Sequence, residues 1–201
     1  MSEANYRGRF APSPTGSLHF GTLVAAVASY ADARQHSGAW LVRIEDIDET
    51  RTRSGASRRI LDALRGFGMQ SDEAPVRQSE RKALYDEAIE RLAQRDLVFP
   101  CTCSRKHIAA LARRGRDCLI YPGSCRSVTP VPGTRAAWRI KVDHFPVSFR
   151  DRVCGEILQD LADEVGDFVI RRIDGFIAYQ LAVVVDDQAQ GITDVVRGAD
   201  L

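Results

Sequence analysis

Residues 9–23 read "RFAPSPTGSLHFGTL", and no other stretch restricts the fold as tightly. An apolar run, "YRGRFA", leads into it, and an Ala/Val-rich run, "GTLVAAVASYADAR" (residues 21–34), leads out. The first predicts a short buried strand. The second predicts a helix long enough to cross over to another strand, "WLVRIE" (residues 40–45). Strand, helix and strand in that order open a parallel sheet, so the chain reads as an α/β protein. The junction is under close backbone control: Pro12 and Pro14 hold it extended, while Gly16 and Gly21 let a ligand approach the main chain. A helix N-terminus carries free N–H groups and roughly half a positive charge, which attracts phosphate. His19 can donate to a phosphate oxygen without a permanent charge. A lone His-x-Gly is more often a packed histidine in a proline-bearing turn, so the stretch gains meaning only with its neighbours.

Further helices are expected over residues 54–65, with Leu61 and Leu64 on one face, and over residues 80–95, with Leu84, Ala88 and Leu92 at helical spacing. The texture changes at Pro100. Residues 101–132 hold four of the five cysteines and few strand signals. After them "RAAWRIKV" begins alternating strands, "VSFRDRVCGEI" predicts a ribbon, and "FVIRRIDGFIAY" predicts a hairpin with Asp174-Gly175 as its two-residue turn. "LAVVVDD" (residues 181–187) stays open between strand and helix. The expected organisation is a first half of an α/β core at 1–99, an insertion at 100–160 and a return to the core at 161–201.

Composition narrows the chemistry. Of 28 cationic residues, all but Lys82, Lys106 and Lys141 are arginine, which suits two-pronged recognition of carboxylate or phosphate. The formal net charge of +1 speaks against indiscriminate coating of nucleic acid. No apolar run approaches the roughly 20 residues of a membrane span, and the N-terminus has no signal-like apolar region. The chain is therefore expected in the cytoplasm, where five cysteines point to metal or free thiols before disulfides. Zinc in a structural site takes four ligands, and composition alone selects Cys101, Cys103, Cys118 and Cys125. His107 fits a helix face better, and Cys154 is expected to be a buried small hydrophobe.

The thirteen residues "RFAPSPTGSLHFG" resemble the first signature of the class I aminoacyl-tRNA synthetases, in their glutamate branch. Two more matches follow, "LVRIEDID" (residues 41–48) and "YQLAVVVDD" with "ITDVVRGADL" (residues 179–201), so the likeness spans essentially the whole chain. "LHFGTL" and "VVRGADL" look closer to the members that glutamylate a queuosine base than to those charging tRNA(Glu), which typically read "HIGGARTA" and "IRGEDH". The resemblance implies a Rossmann-like catalytic core with an inserted zinc-binding α+β module. It implies a monomeric ligase that activates L-glutamate with ATP and Mg²⁺ and transfers it to the queuosine base in the anticodon of tRNA(Asp).

It also implies residue roles. His19 and Gly21 are the catalytic pair on the phosphate side, with Pro12, Gly16 and Thr22 completing the ATP site. Thr22 stands where a full His-x-Gly-His motif has its second histidine. Arg9, Ala11, Ser13, Glu45, Tyr179 and Arg197 match the amino-acid site: the arginines for carboxylates, Glu45 for the ammonium, Ser13 and Tyr179 for neutral hydrogen bonds. The family pattern Cys-x-Cys with Tyr-x3-Cys places the zinc ligands at Cys101, Cys103, Tyr121 and Cys125, with Cys118 the rival for the fourth place. Asp46 and Asp48 are expected to brace the following turn rather than bind Mg²⁺, and the acids of "VVVDD" are read the same way.

Members of the family continue past "VVRGAD" into a Lys-rich KMSKS-type loop that steadies the pyrophosphate end, and residues 1–201 contain none. Residues 1–201 alone are therefore expected to be able to bind glutamate or zinc but to adenylate poorly. Tyr85, Tyr121 and Trp138 are the aromatic residues available to stack a base. The alternatives are a glutamyl-tRNA synthetase charging the 3′ end of tRNA(Glu), a small nucleotidyltransferase, and a non-enzymatic zinc-stabilised RNA-binding module.

Overall fold

A computed structural model describes residues 6–115, 118–128, 130–131 and 133–198. The chain divides into two compact units, residues 1–85 with 182–201, and residues 86–181. Both expected boundaries, at 99/100 and 160/161, fall inside the second unit.

In the first unit, strand β1 (Arg7–Phe10) runs into helix α1 (Phe20–Gln35), then β2 (Ala39–Ile44), α2 (Ala56–Gly66) and β3 (Val76–Arg77), closed by a 3-10 turn at Gln78–Glu80. The strands lie in the order β1-β2-β3, all parallel. The chain returns to this sheet near its end, where Asp194 bridges Gly8 in parallel on the outer side of β1. The expected strand–helix–strand opening is therefore present.

Small residues let α1 sit close on the sheet: Ala26, Ser29 and Ala33 are buried over Trp40, whose indole N–H donates to Ser29 Oγ at 3.0 Å. Tyr30 meets the Trp40 ring edge-on, with centroids 5.1 Å apart, and Phe10 stacks at 6.2 Å. Close approach also explains Gly38. A Cβ there would lie 2.5 Å from the Tyr6 carbonyl oxygen, a backbone atom that cannot swing aside. Gly38→Ala is expected to cost about 2–3 kcal/mol, read as a lower midpoint in urea unfolding with an unchanged slope.

Helix α3 (Lys82–Gln94) follows, and its buried side chains are Tyr85 and Ile89, flanked by half-buried Ala88 and Leu92. Leu84 is exposed, so the apolar stripe lies one residue round from the expected face. Tyr85, larger than leucine and hydrogen-bonded, takes the inward position. In the second unit an antiparallel sheet runs β10-β7-β4, from β4 (Val98–Cys101), β7 (Ala137–Ile140) and β10 (Val169–Arg171). Between them come α4 (Arg105–Leu111), a short ribbon of β5 (Arg113–Arg114) and β6 (Leu119–Ile120), a hairpin of β8 (Pro146–Asp151) and β9 (Gly155–Asp160), and α5 (Leu161–Glu164).

Two turn expectations need correcting. Gly175 N–H donates to Arg172 O and Arg172 N–H to Phe176 O, with Gly175 at φ +92. That is a three-residue loop, with Ile173-Asp174 in the turn and Gly175 supplying the left-handed bulge, not a two-residue Asp-Gly turn. Cys154 is exposed, because it sits in the β8–β9 turn where Asp151 Oδ1 takes the N–H groups of Val153 and Cys154. The ambiguous "LAVVVDD" is helical, within α6 (Tyr179–Ala189). No described helix is long and apolar enough to cross a membrane.

Candidate functional site

The junction that opened the chain becomes the N-terminus of α1. His19 is its N-cap, with Nδ1 accepting from Thr22 N–H at 3.3 Å and Nε2 2.8 Å from Thr22 Oγ1. With Nδ1 accepting, the Nε2 proton of that tautomer goes to Thr22 Oγ1, so both ring nitrogens meet Thr22 at the head of the helix. Leu23 N–H reaches His19 O, so the amides of Phe20 and Gly21 precede the helical ladder. A Cβ on Gly21 would lie 3.4 Å from the His19 ring, in contact with it but not in collision. A Cβ on Gly16 would meet nothing within 4 Å. Pro12 and Pro14 are buried, and their carbonyls accept from Glu45 N–H at 3.0 Å and Arg53 N–H at 2.9 Å, tying the junction to the end of β2. Ala11 is half-buried, and Ser13, His19 and Gly21 are exposed.

Beside it, at the carboxyl ends of β1 and β2, lies a buried charge cluster. Arg9 turns one edge of its guanidinium to Asp187, Nε to Oδ1 at 3.2 Å and Nη2 to Oδ2 at 3.4 Å. Arg43 Nη1 donates to the same Asp187 Oδ1 at 2.7 Å and to Gln190 Oε1 at 2.9 Å, while Nη2 donates to Glu45 Oε1 at 3.4 Å. Burial pushes the Glu45 carboxyl up to about 7, although Arg43 and Arg9 both pull it down. Asp186, wholly buried, accepts from Gln78 Nε2 at 2.8 Å, Arg81 Nε at 2.7 Å and Tyr85 Oη at 2.8 Å, and so locks α6 to residues 78–85.

Arg43, Asp186, Asp187 and Gln190 were missed by motif reasoning. The available signal was electrostatic: Arg43 interrupts the apolar run of β2, and two acids end the apolar run of α6, positions where ions need partners. The two acids do not brace a turn, as expected for "VVVDD"; they hold cations. Asp48 does brace the next turn, accepting from Thr50 N–H at 3.2 Å and Thr50 Oγ1 at 2.6 Å. Asp46 instead reaches Ser79, whose N–H and hydroxyl both donate to it at 2.9 Å. Arg197 is exposed after the bridge at Asp194. Tyr179, 42% exposed, opens α6 and belongs to the second unit. Tyr85 is fully buried and cannot stack an incoming base, and Tyr121, 6% exposed, is likewise covered.

In the second unit, Cys101 at the end of β4, Cys103 before α4, and Cys125 in the turn begun at Gly123 bring their sulfurs together, all within 4.8 Å of one another. Cys103 Sγ is 3.4 Å from Cys125 Sγ. Tyr121 Oη is 3.4 Å from Cys101 Sγ and 3.5 Å from Cys103 Sγ, and it accepts from Cys125 N–H at 2.8 Å. Tetrahedral zinc with bonds of about 2.3 Å to sulfur separates ligand atoms by roughly 3.8 Å, so this donor set fits that ion. Arg139 lies over the Tyr121 ring at 4.1 Å and fixes its plane. Cys118 does not join the group: it is exposed, with its sulfur 3.7 Å from Glu164 O. His107 sits on α4, its N–H held by Ser104 Oγ.

Residues 5–201 match the family "tRNA synthetases class I (E and Q), catalytic domain". The chain is 54% identical over 201 residues to the glutamyl-Q tRNA(Asp) synthetase of Chromobacterium violaceum, covering all of this chain and 67% of that protein. It is 55% identical to the enzyme of that name from Janthinobacterium sp., covering 98% of this chain and 69% of that one. Among solved structures, a glutamate tRNA ligase from Elizabethkingia meningosepticum in complex with its amino acid matches with a TM-score of 0.84 at 28% identity. The glutamate-tRNA synthetase of Elizabethkingia anophelis matches equally well, again with TM-score 0.84 and 28% identity. This chain spans 44% and 45% of those two chains, and 98% of it is covered in each case.

Proposed function

Because the chain belongs to the class I tRNA synthetases (E and Q), we propose that it activates L-glutamate with ATP and Mg²⁺ and passes the glutamyl group to the queuosine base in the anticodon of tRNA(Asp). The observation that carries this reading is the presentation of Arg9 and Glu45 at the carboxyl ends of neighbouring parallel strands, where open α/β sheets bind ligands. One cation and one anion side by side suit an amino acid, and a second carboxylate on the substrate finds a further cation in Arg197.

In the first step a substrate α-carboxylate oxygen attacks the α-phosphorus of ATP. A carboxyl–phosphate bond forms, the bond to pyrophosphate breaks, and pyrophosphate leaves. In the second, the queuosine base attacks the carbonyl carbon of glutamyl-adenylate and AMP leaves. The protein's work is orientation and charge stabilisation rather than covalent chemistry. Glu45, as the carboxylate, takes the substrate ammonium, with Ala11 and Ser13 as neutral neighbours. His19 and the amides at Phe20 and Gly21, with Pro12, Gly16 and Thr22, serve the phosphates. Cys101, Cys103, Tyr121 and Cys125 would hold a structural zinc that cross-links the loops of the second unit.

Glutamate-dependent ATP–pyrophosphate exchange, run on the protein carrying this chain with and without tRNA, tests the reading. Exchange without RNA is expected. A second reading, charging of tRNA(Glu), is favoured by the likeness to the two glutamate-tRNA ligases, and exchange that appears only with tRNA(Glu) would establish it instead.

A further inference from the structure

The proposed amino-acid site depends on Arg9 and Glu45, and two residues outside every quoted site role join them. We propose that Arg43 and Asp187 are positioning residues, which set the Arg9 guanidinium and the Glu45 carboxylate at the spacing and orientation that a bound amino acid requires. The inference rests on the glutamate reading and deepens it.

The connection is continuous. Glu45 Oε1 meets Arg43 Nη2 at 3.4 Å, Arg43 Nη1 meets Asp187 Oδ1 at 2.7 Å, and that same oxygen takes Arg9 Nε at 3.2 Å. Charges alternate along the chain of four, so each group is held by its opposite. Asp187 occupies one edge of Arg9, through Nε and Nη2. The end of the fork, Nη1 and the outer hydrogen of Nη2, remains for a second carboxylate, and Asp187 thereby sets the direction from which that carboxylate must come. Arg9 cannot rotate to present its other edge without breaking both contacts.

Arg43 is a poor device for stability alone. Its side chain is completely buried, yet its Nε has no hydrogen-bond partner. The nearest carboxylate to that nitrogen, Asp186 Oδ2, is 3.8 Å away and already committed to Gln78 and Tyr85. A buried cation with an unfilled donor is one that an apolar side chain often replaces at no loss of stability. Its incomplete satisfaction is intelligible if the fork must lie where Glu45 and Asp187 need it. The charged groups acting on Glu45 are Arg43 from the end of β2, Arg9 from β1 and Asp187 from α6, so moving the Arg43 fork changes the ionisation of the carboxylate that receives the ammonium.

The test is calorimetric titration of L-glutamate between pH 5.5 and 8.5 into the wild-type protein and Asp187→Asn, Arg43→Lys and Gln190→Met, with a melting curve for each. Asp187→Asn is expected to weaken binding at least tenfold at every pH, because an amide no longer holds Arg9 by charge. Arg43→Lys should raise the pH midpoint of binding by about half a unit or more, since one compact ammonium cannot face Asp187 and Glu45 together. Gln190→Met removes a neutral acceptor from Arg43 Nη1 and leaves every charge in place, so it should fold and bind two- to threefold more weakly.

Folded variants with wild-type affinity and midpoint would overturn the inference. So would a lowered melting temperature with both unchanged, which is the mark of a purely structural network. If the two charged variants fail to fold, unchanged binding by Gln190→Met overturns it. Absence of glutamate binding by the wild type is a different result, and it removes the glutamate reading itself.

Discussion

Replacing Glu45 by glutamine should make the protein more stable above pH 7 while abolishing glutamate binding. The carboxyl is nearly enclosed, its side chain 7% exposed, and burial raises it from an ordinary 4.5 to about 7. Below pH 4.5 it is protonated in folded and unfolded chains alike, and folding is not penalised. As pH rises through that value the unfolded chain releases the proton while the folded chain keeps it, so stability falls until about pH 7 and is then level. A rise of that size corresponds to about 3 kcal/mol. Glutamine is protonation-blind and nearly the same shape, but it gives Arg43 Nη2 a weaker acceptor than the carboxylate oxygen now at 3.4 Å, so the net gain at pH 8 should be about 2 kcal/mol. Urea unfolding at pH 5 and pH 8 reads this directly: the two proteins should differ at pH 8 and nearly coincide at pH 5. The same variant leaves the substrate ammonium without its counter-charge, a loss of at least 100-fold in affinity. No gain in stability at pH 8 would mean that burial does not penalise the Glu45 charge, its pairing with Arg43 and Arg9 offsetting the lost hydration. An ionisable group kept at a cost to the fold is what a binding site requires.

What could be read from residues alone follows from how local each signal is. The opening strand, α1 and β2 were legible because an apolar strand, a proline-bearing turn and an Ala/Val-rich run are each decided within a few residues. The insertion's antiparallel character was legible from "WRI" and the ribbon sequence for the same reason. Leu84 was misread because helical spacing allows two neighbouring stripes, and the choice fell to Tyr85, whose hydroxyl finds Asp186 across more than 100 residues. The same distance hid Arg43 and Asp187. Each looks like an ordinary surface charge until β2 and α6 are brought together, and only then does the absence of water make each the other's necessary partner. The placement of His19 and Gly21 at a helix start and of Glu45 just past a strand end was legible, because motif spacing holds them to those ends. For the fourth donor the residues pointed two ways, composition to Cys118 and the family pattern to Tyr121, and the path of residues 118–125 brings Tyr121 to the other three while Cys118 lies against Glu164 O.

That same path leads to the largest expected effect in the second unit. Zinc should bind one ion per chain, and Cys103→Ala or Cys125→Ala should abolish it, whereas Cys118→Ser should leave the stoichiometry unchanged. The reason is enclosure. Cys101 is 2% exposed and Tyr121 6%, and the two packed with Phe99 form a small core in a region otherwise made of short strands and turns. An ion bound only by the folded arrangement stabilises it by mass action, about 4 kcal/mol when free zinc is a thousandfold above the dissociation constant. A chelator should therefore lower the melting temperature of the wild type and leave that of Cys103→Ala where it already lies. Tyr121→Phe separates the phenol's two duties. It keeps the ring beneath Arg139 but removes the oxygen that meets Cys101 and Cys103 and accepts from Cys125 N–H. If the oxygen is the fourth ligand, zinc affinity should fall by 10–100-fold while the metal-free protein melts within a few degrees of the wild type. Equal zinc affinity in Tyr121→Phe would reduce the phenol to a hydrogen-bond acceptor and leave the fourth position to solvent or to Cys118, which the Cys118→Ser titration then decides.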